Sequence, residues 1–264
     1  MSNFLFVFKN DSASIPVKQA PEDIPAAYAA NLSGDLATAY RLLHDFAKLE
    51  AGDIIIQNDA FSSVGMAVIQ MASQMGVKTV NIVSNDMADI DTKLRLLTNL
   101  GGTVNVTDAY FGSHEYKSLV EGTEAKLLLV GDDVGVLADM ARASGKDSTI
   151  VSYAGKSPSA EVAAFLKDEM KVNVTSFSIA DWHKGCTVMD RAQMNANLAT
   201  MVRTGHLTMF YEEHDLDDFD YALDQARESH SLRKVVLRMD FPDRLEEHDA
   251  RDGKEYEVFE TDVV

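Results

Sequence analysis

The stretch best suited to chemistry lies between Asp53 and Ala72. There Asp53-Ile54-Ile55-Ile56-Gln57 runs into Asn58-Asp59-Ala60-Phe61-Ser62-Ser63-Val64-Gly65 and then into apolar residues at helical spacing. An unbroken apolar run, a turn of small polar residues and an apolar stripe predict strand, tight turn and helix. A helix N-terminus facing such a turn offers free N–H groups and the positive end of a dipole, which is the chemistry that holds a pyrophosphate. The turn has one glycine, Gly65, where the dinucleotide fingerprint has three, so a purely structural strand-to-helix turn stays open.

Other chemistries lack their constellations. His44, His114, His183, His206, His214, His230 and His248 show no HxxxH or HxH spacing, so no metal site is expected and they read as solvated or structural. No Gly-x-Ser-x-Gly elbow marks a serine nucleophile. The single cysteine, Cys186, excludes a disulfide framework, fits a reducing interior and reads as a small buried hydrophobe.

Composition narrows the partners. With 264 residues, 46% of them hydrophobic, the chain can bury a large core as one domain or one domain with appendages. Its 42 acidic against 24 basic residues give a formal charge of −18, which opposes nucleic-acid backbones and anionic membranes, so no nucleic acid is expected as a direct partner. No apolar stretch reaches the roughly 20 residues of a membrane helix, and no membrane insertion is expected. The N-terminus lacks the Arg-rich amphipathic character of a transit peptide. Residues 240–264 hold ten acidic and three basic side chains and read as a solvated acidic tail.

The elements that would position the turn alternate along the chain. Gly76 closes the first helix as a left-handed cap would, and the β-branched run Lys78–Val83 follows as a strand. Helices are expected over 91–100, 114–119, 134–143, 160–169, 189–203 and 217–229. Strands are expected over 104–106, 126–130, 149–153, 173–179 and 234–239. Upstream, 26–32 and 36–43 read as helices, the second capped by Asp35 or Ser33. Phe4-Leu5-Phe6-Val7-Phe8 has strand character and is too apolar to be left uncovered. The alternation predicts an α/β fold, a doubly wound, Rossmann-like parallel sheet.

The residues 22–25 and Thr38-Ala39-Tyr40-Arg41-Leu42-Leu43, the run from Gly52 through Gly65-Met66-Ala67-Val68-Ile69-Gln70, and the segments 201–207 and 234–239 resemble mitochondrial trans-2-enoyl-thioester reductases of the medium-chain dehydrogenase/reductase superfamily. The resemblance covers nearly everything before the tail. It implies remnant strands of a GroES-like catalytic domain over 1–25 and a Rossmann-like domain with a C-terminal return segment over 26–239. It further implies NADPH-dependent reduction of enoyl thioesters, a mitochondrial location, and a cofactor site at Asn58, Ser62, Ser63, Val64, Gly65, Ser84, Asn85, Gly131, Tyr153 and Gly155.

The departures from the family pattern are as informative. A complete relative places its catalytic domain and catalytic tyrosine before the first residue of this chain, leaving only strands over 4–8 and 15–18, so no catalytic residue is assigned. Ser63 stands where the family has a glycine, and its side chain would crowd a pyrophosphate. Ser84-Asn85-Asp86 stands where the family carries arginines for the NADPH 2′-phosphate. Asp35-Leu36 replaces an Asn-Pro, and Gly131-Asp132-Asp133 replaces a Gly-Gly, putting carboxylates at a cleft that a dinucleotide would fill. Trp182 reads either as a remnant of the acyl pocket or as a packing anchor.

These departures make the expected cofactor none or weakly bound NAD(P)H, with NADH less disfavoured. The leading expectation is a non-catalytic, enoyl-reductase-like subunit of a larger assembly, joined to a protein partner or a second copy through Phe4 to Phe8. The alternative is an NADPH-dependent enoyl-thioester reductase of mitochondrial fatty-acid synthesis whose catalytic domain a partner chain supplies.

Overall fold

The structure, a computed structural model, describes residues 5–8, 23–119, 124–131, 136–155, 158–227 and 233–239. Strand β1 (Leu5–Phe8) comes first, followed by helices α1 (Ala26–Asn31) and α2 (Asp35–Asp45). The apolar run Ile54–Gln57 forms β2 and turns directly into α3 (Ser63–Gln74). Next come β3 (Lys78–Val83), α4 (Ile90–Asn99), β4 (Val104–Thr107), and two short helices, α5 (Asp108–Phe111) and α6 (His114–Leu119). A second series repeats the alternation with β5 (Ala125–Val130), α7 (Leu137–Arg142), β6 (Ser144–Ser152), α8 (Ala160–Asp168) and β7 (Asn173–Ser176). The chain closes through α9 (Ile179–Gly185), α10 (Val188–Arg203), β8 (Tyr211–Asp215), a 3-10 turn, α11 (Phe219–Arg227) and β9 (Lys234–Met239).

Strands β2 to β7 form one parallel sheet in the order β4-β3-β2-β5-β6-β7. The chain steps outward from β2 to β4, returns beside β2 as β5, and steps outward the other way. The fold is therefore doubly wound and Rossmann-like, and the strand order reverses between β2 and β5. Successive strand residues point to opposite faces, and both faces are covered. Ile55, Leu127, Leu129 and Val151 pack under α2, α3 and α10, while Ile56, Leu128, Val130 and Ile150 pack on the α7 side.

A second sheet of three parallel strands has the order β1-β9-β8. The strand expected to be covered by a partner or a second copy finds one neighbour in its own chain. β1 pairs with β9 along its length, Leu5 opposite Val236 and Phe8 opposite Met239. Its other edge has no partner strand among the described residues. The strand expected over 15–18 lies outside the described residues.

Three local readings also change. The cap of α2 is Gly34, with no side-chain cap, because Asp35 is already helical and its carboxylate meets Lys234 Nζ at 2.5 Å. Residues 179–185 are helical, so the strand expected over 173–179 stops at Ser176. Tyr211–Asp215 is a strand despite its charges, since pairing with β9 brings Arg238 to Asp215 and Arg233 to Glu212. The return to the small sheet is held by α3, whose Gln70 donates to Thr208 O at 2.9 Å and accepts from Thr208 N at 2.7 Å.

Several carboxyls are held below their ordinary value. Asp53 is lowered first by the Lys126 ammonium and then by the Glu50 N–H, and Asp190 by the Thr187 hydroxyl and N–H that cap α10. A group whose folded value is depressed stabilises the fold above its unfolded value, here near 3.8, and loses that contribution as pH falls through the folded value. The variant Asp53→Asn with Asp190→Asn is expected to show a lower urea midpoint than wild type at pH 7 and no difference at pH 2. An equal difference at both pH values would refute the assignment.

Candidate functional site

Three strand ends converge where the strand order reverses. Asn58 follows β2, Gly131 follows β5 and Tyr153 follows β6. Asn58 is buried, its N–H donates to Leu129 O at 3.2 Å, and its Oδ1 accepts from Gly131 N at 2.6 Å. The two strand ends at the switch point are thus tied by an amide and a backbone N–H. Asp59 sits at φ +52°, a left-handed turn that Asp tolerates. A Cβ on Gly131 would lie 2.6 Å from Asp59 Cβ and 3.0 Å from Tyr153 Oη, so the bare glycine keeps this cradle open.

Tyr153 is 6% exposed, and its hydroxyl has no partner in hydrogen-bond geometry among the described residues. Burial, and then the Asp59 charge, push its pKa far above the usual phenol value; the neighbouring Ser62 hydroxyl partly offsets this. The phenol stays neutral and can donate a proton in a hydrogen bond.

The turn into α3 is built around one close approach. A Cβ on Gly65 would lie 2.7 Å from Ala60 Cα, Ala60 O and Asp59 O, so only glycine lets the helix rest on the turn. Ser62 caps the helix, its Oγ accepting from Gly65 N at 3.1 Å, and Met66 N donates to Ser62 O. The N–H groups of Ser63 and Val64, the first two helical residues, find no acceptor among the described residues, since the Ser62 cap takes the Gly65 N–H. Ser63 is half-buried beside them.

At the end of β3, Asn85 N donates to the Asp108 carboxylate at 3.0 Å and Asp86 N to Ser84 Oγ at 3.3 Å. The Asp108 carboxylate therefore faces this end. Lys93 brings one positive charge to the turn from α4, its Nζ 5.1 Å from the Phe61 ring centre. Gly155, at φ +78°, opens onto free space beyond β6. Asp132 and Asp133 lie outside the described residues.

Asn58, Ser62, Ser63, Val64, Gly65, Gly131 and Tyr153 are brought together at the switch point, whereas Ser84 and Asn85 stand at the end of β3. Trp182 packs between α2 and α9 with the Arg41 guanidinium 4.7 Å from its ring centre. No group of three or more His, Cys, Asp or Glu residues able to hold a metal occurs among the described residues, and no described helix is long and apolar enough to cross a membrane. Sequence reasoning missed the buried amides Gln57 and Asn81 and the half-buried Asn105. Their signal was a polar residue recurring at intervals of 24 in otherwise apolar strands.

No family model matches the chain. The mitochondrial enoyl-(acyl-carrier-protein) reductase of Xenopus tropicalis is 33% identical over 241 residues, covering 88% of this chain and 67% of that protein. The Dictyostelium discoideum enzyme of the same name is 29% identical over 223 residues, 83% of this chain and 63% of that one, and the human one 30% identical over 226 residues, 84% and 60%. The chain thus spans about three fifths to two thirds of the length of these relatives. Among solved structures, the Etr1p/NADP/crotonyl-CoA complex superposes with a TM-score of 0.68 at 21% identity, covering 78% of this chain and 60% of that one. The Etr1p/Etr2p heterodimer of Candida tropicalis gives 0.69 at 20% identity, covering 79% and 61%. These two show the shared fold.

The close approach and the unpartnered hydroxyl make opposite demands on stability. Gly65→Ala is expected to cost about 1–3 kcal/mol, because the added methyl forces α3 off the turn. Tyr153→Phe is expected to leave stability unchanged or raise it, because it removes a buried polar atom that has no partner in hydrogen-bond geometry among the described residues. Urea unfolding of both variants checks this, and a loss of more than about 1 kcal/mol in Tyr153→Phe would mean the hydroxyl is paired within the chain.

Proposed function

Since the chain belongs to the mitochondrial enoyl-(acyl-carrier-protein) reductase family, we propose that it provides the dinucleotide-binding half of an enoyl-thioester reductase acting in the mitochondrion. The observation that carries this reading is the cradle at the switch point. Two N–H groups without an acceptor among the described residues, a buried neutral phenol and a glycine without a Cβ converge there at the strand ends. In open α/β sheets this is where dinucleotides lie.

When bound, a reduced nicotinamide dinucleotide supplies the hydride for an enoyl double bond. The chain's own residues bind and orient. Ser63 and Val64 N–H hold the pyrophosphate, with the dipole of α3 behind them. Asn58 holds the Gly131 backbone in place, Gly131 and Gly155 leave room, and Tyr153 offers its hydroxyl to a polar group at the nicotinamide end. Ser84 and Asn85 face the adenosine ribose. The proton comes from a domain of the GroES-like type or from a partner chain. The Etr1p/Etr2p pairing supports an assembly of more than one chain.

The cofactor that fits best is NADH. A 2′-phosphate calls for a guanidinium or ammonium fork, and Ser84, Asn85 and the Asp108 carboxylate offer none. Asp86, about 20 residues beyond Gly65, stands where an acidic side chain takes a ribose 2′-hydroxyl in NAD-binding folds.

A second reading, a non-catalytic subunit, is favoured by Ser63, whose side chain stands on the path of the pyrophosphate, and by the Asp59 carboxylate in the cradle. Titration against the intrinsic fluorescence of the reduced nucleotides separates the two. The proposed function expects saturable NADH binding, NADPH weaker by about tenfold or more, and a reversal of that preference in Ser84→Arg with Asp86→Arg. Absence of saturable binding of either nucleotide would refute the reductase reading in favour of the second.

A further inference from the structure

Three amides, two buried and one half-buried, form a ladder beneath the turn into α3. Gln57 at the end of β2, Asn81 on β3 and Asn105 on β4 stand directly opposite one another in the parallel register and therefore on one face of the sheet. Gln57 and Asn81 are fully buried. Gln57 Nε2 donates to Gly65 O at 3.0 Å and to Asn81 Oδ1 at 2.9 Å. Asn81 Nδ2 donates to Asn105 Oδ1 at 2.8 Å, Asn105 Nδ2 to Thr98 Oγ1 at 2.9 Å, and Thr98 Oγ1 to Leu94 O at 3.1 Å.

From Gln57 the bonds to Asn81, Asn105 and Thr98 are all donated outward, while the same Gln57 amide donates the other way to Gly65 O, and the reason lies in that bond. Gly65 O can only accept, so the Gln57 amide must present its NH2 group to it. That choice leaves Asn81 its oxygen to accept and its NH2 to pass on, and the same holds for Asn105. Donors aligned head to tail in a dry interior polarise one another. Gly102 makes room for the chain, since a Cβ there would lie 2.5 Å from Asn105 Oδ1 and 2.8 Å from Asn81 Nδ2. One buried acceptor, Gln57 Oε1, is left without a partner among the described residues. A core built only for stability would place an apolar side chain at this strand end.

We propose that Gln57 is a positioning residue for the dinucleotide, its amide drawing the first turn of α3 onto the sheet and so aiming the Ser63 and Val64 N–H groups at the pyrophosphate. The role rests on the nucleotide-binding reading. Through Asn81 and Asn105 the same bonds tie this turn to α4, so the pyrophosphate end and the adenosine end of the site are held in one frame.

The test compares wild type, Gln57→Leu and Asn105→Leu by amide hydrogen exchange and by NADH titration. In Gln57→Leu, exchange at residues 65–69 is expected to quicken tenfold or more while residues 127–130 keep their wild-type rates, and the NADH dissociation constant is expected to rise about tenfold. Asn105→Leu, at the partly exposed end, gives smaller changes of the same sign and decides the matter alone if Gln57→Leu does not fold. A uniform quickening across the core, or unchanged exchange at 65–69, overturns the proposal. So does an unchanged NADH affinity. If wild type binds no NADH, the reductase reading fails, and the local exchange rates alone decide the role of Gln57.

Discussion

The fold hangs on the approach of one helix to one turn. Helix α3 rests against the chain between β2 and itself at a distance that leaves no room for a Cβ at Gly65. That contact fixes where α3 crosses the sheet, and α3 in turn organises its surroundings. Its apolar side chains divide between two core clusters, Val64, Ala67, Val68 and Met71 in one and Met66 and Ile69 in the other. Its polar face does a separate task, with Gln70 and Gln74 holding the backbone at Thr208 and His206. The path from α10 into the small sheet is thereby set by the same helix that faces the switch point.

The small sheet is joined to the large one by few but specific contacts. Lys234, nearly buried at the start of β9, meets Asp35 at the start of α2. Arg203, at the end of α10, grips Asp23 with two nitrogens. The Tyr28 hydroxyl accepts from Met209 N while its ring packs edge-on against Tyr211. Removing Asp35 from this part-buried pair would strand the nearly buried Lys234 charge, which costs more than the pair itself contributes. The surface pair between Arg203 and Asp23 carries little by comparison.

How much of this was legible in the sequence depended on how local the cause was. Apolar runs such as 127–130 and helix-closing glycines at 76, 101 and 205 announce themselves, and each of those glycines does adopt positive φ. The strand Tyr211–Asp215 did not, because a Tyr-Glu-Glu-His-Asp run has no apolar alternation and owes its form to pairing with β9. The partner of β1 was hidden for a similar reason. Leu5 and Val236 are separated by nearly the whole chain, and nothing local in either segment specifies the other. At the site, the turn and the strand ends could be placed from sequence. The amide ladder could not, because its logic is a register across three strands that only the folded sheet creates.

The residues at the switch point divide by what the fold requires of them. Gly65 is demanded by packing, so its presence would be the same whether or not a nucleotide ever lies there. Asn58 likewise has a complete structural reason in the bonds that join β2 to β5. Tyr153 is different, since a phenylalanine would fill its place without burying a hydroxyl that has no partner in hydrogen-bond geometry among the described residues. The Ser63 and Val64 N–H groups lie in the first turn, where the Ser62 cap takes only the Gly65 N–H, and so argue less by themselves. Coincidence of that open helix end with an unpaired phenol, across a glycine held without a Cβ, is what packing does not account for, and it is the part of the site that points to a polar ligand.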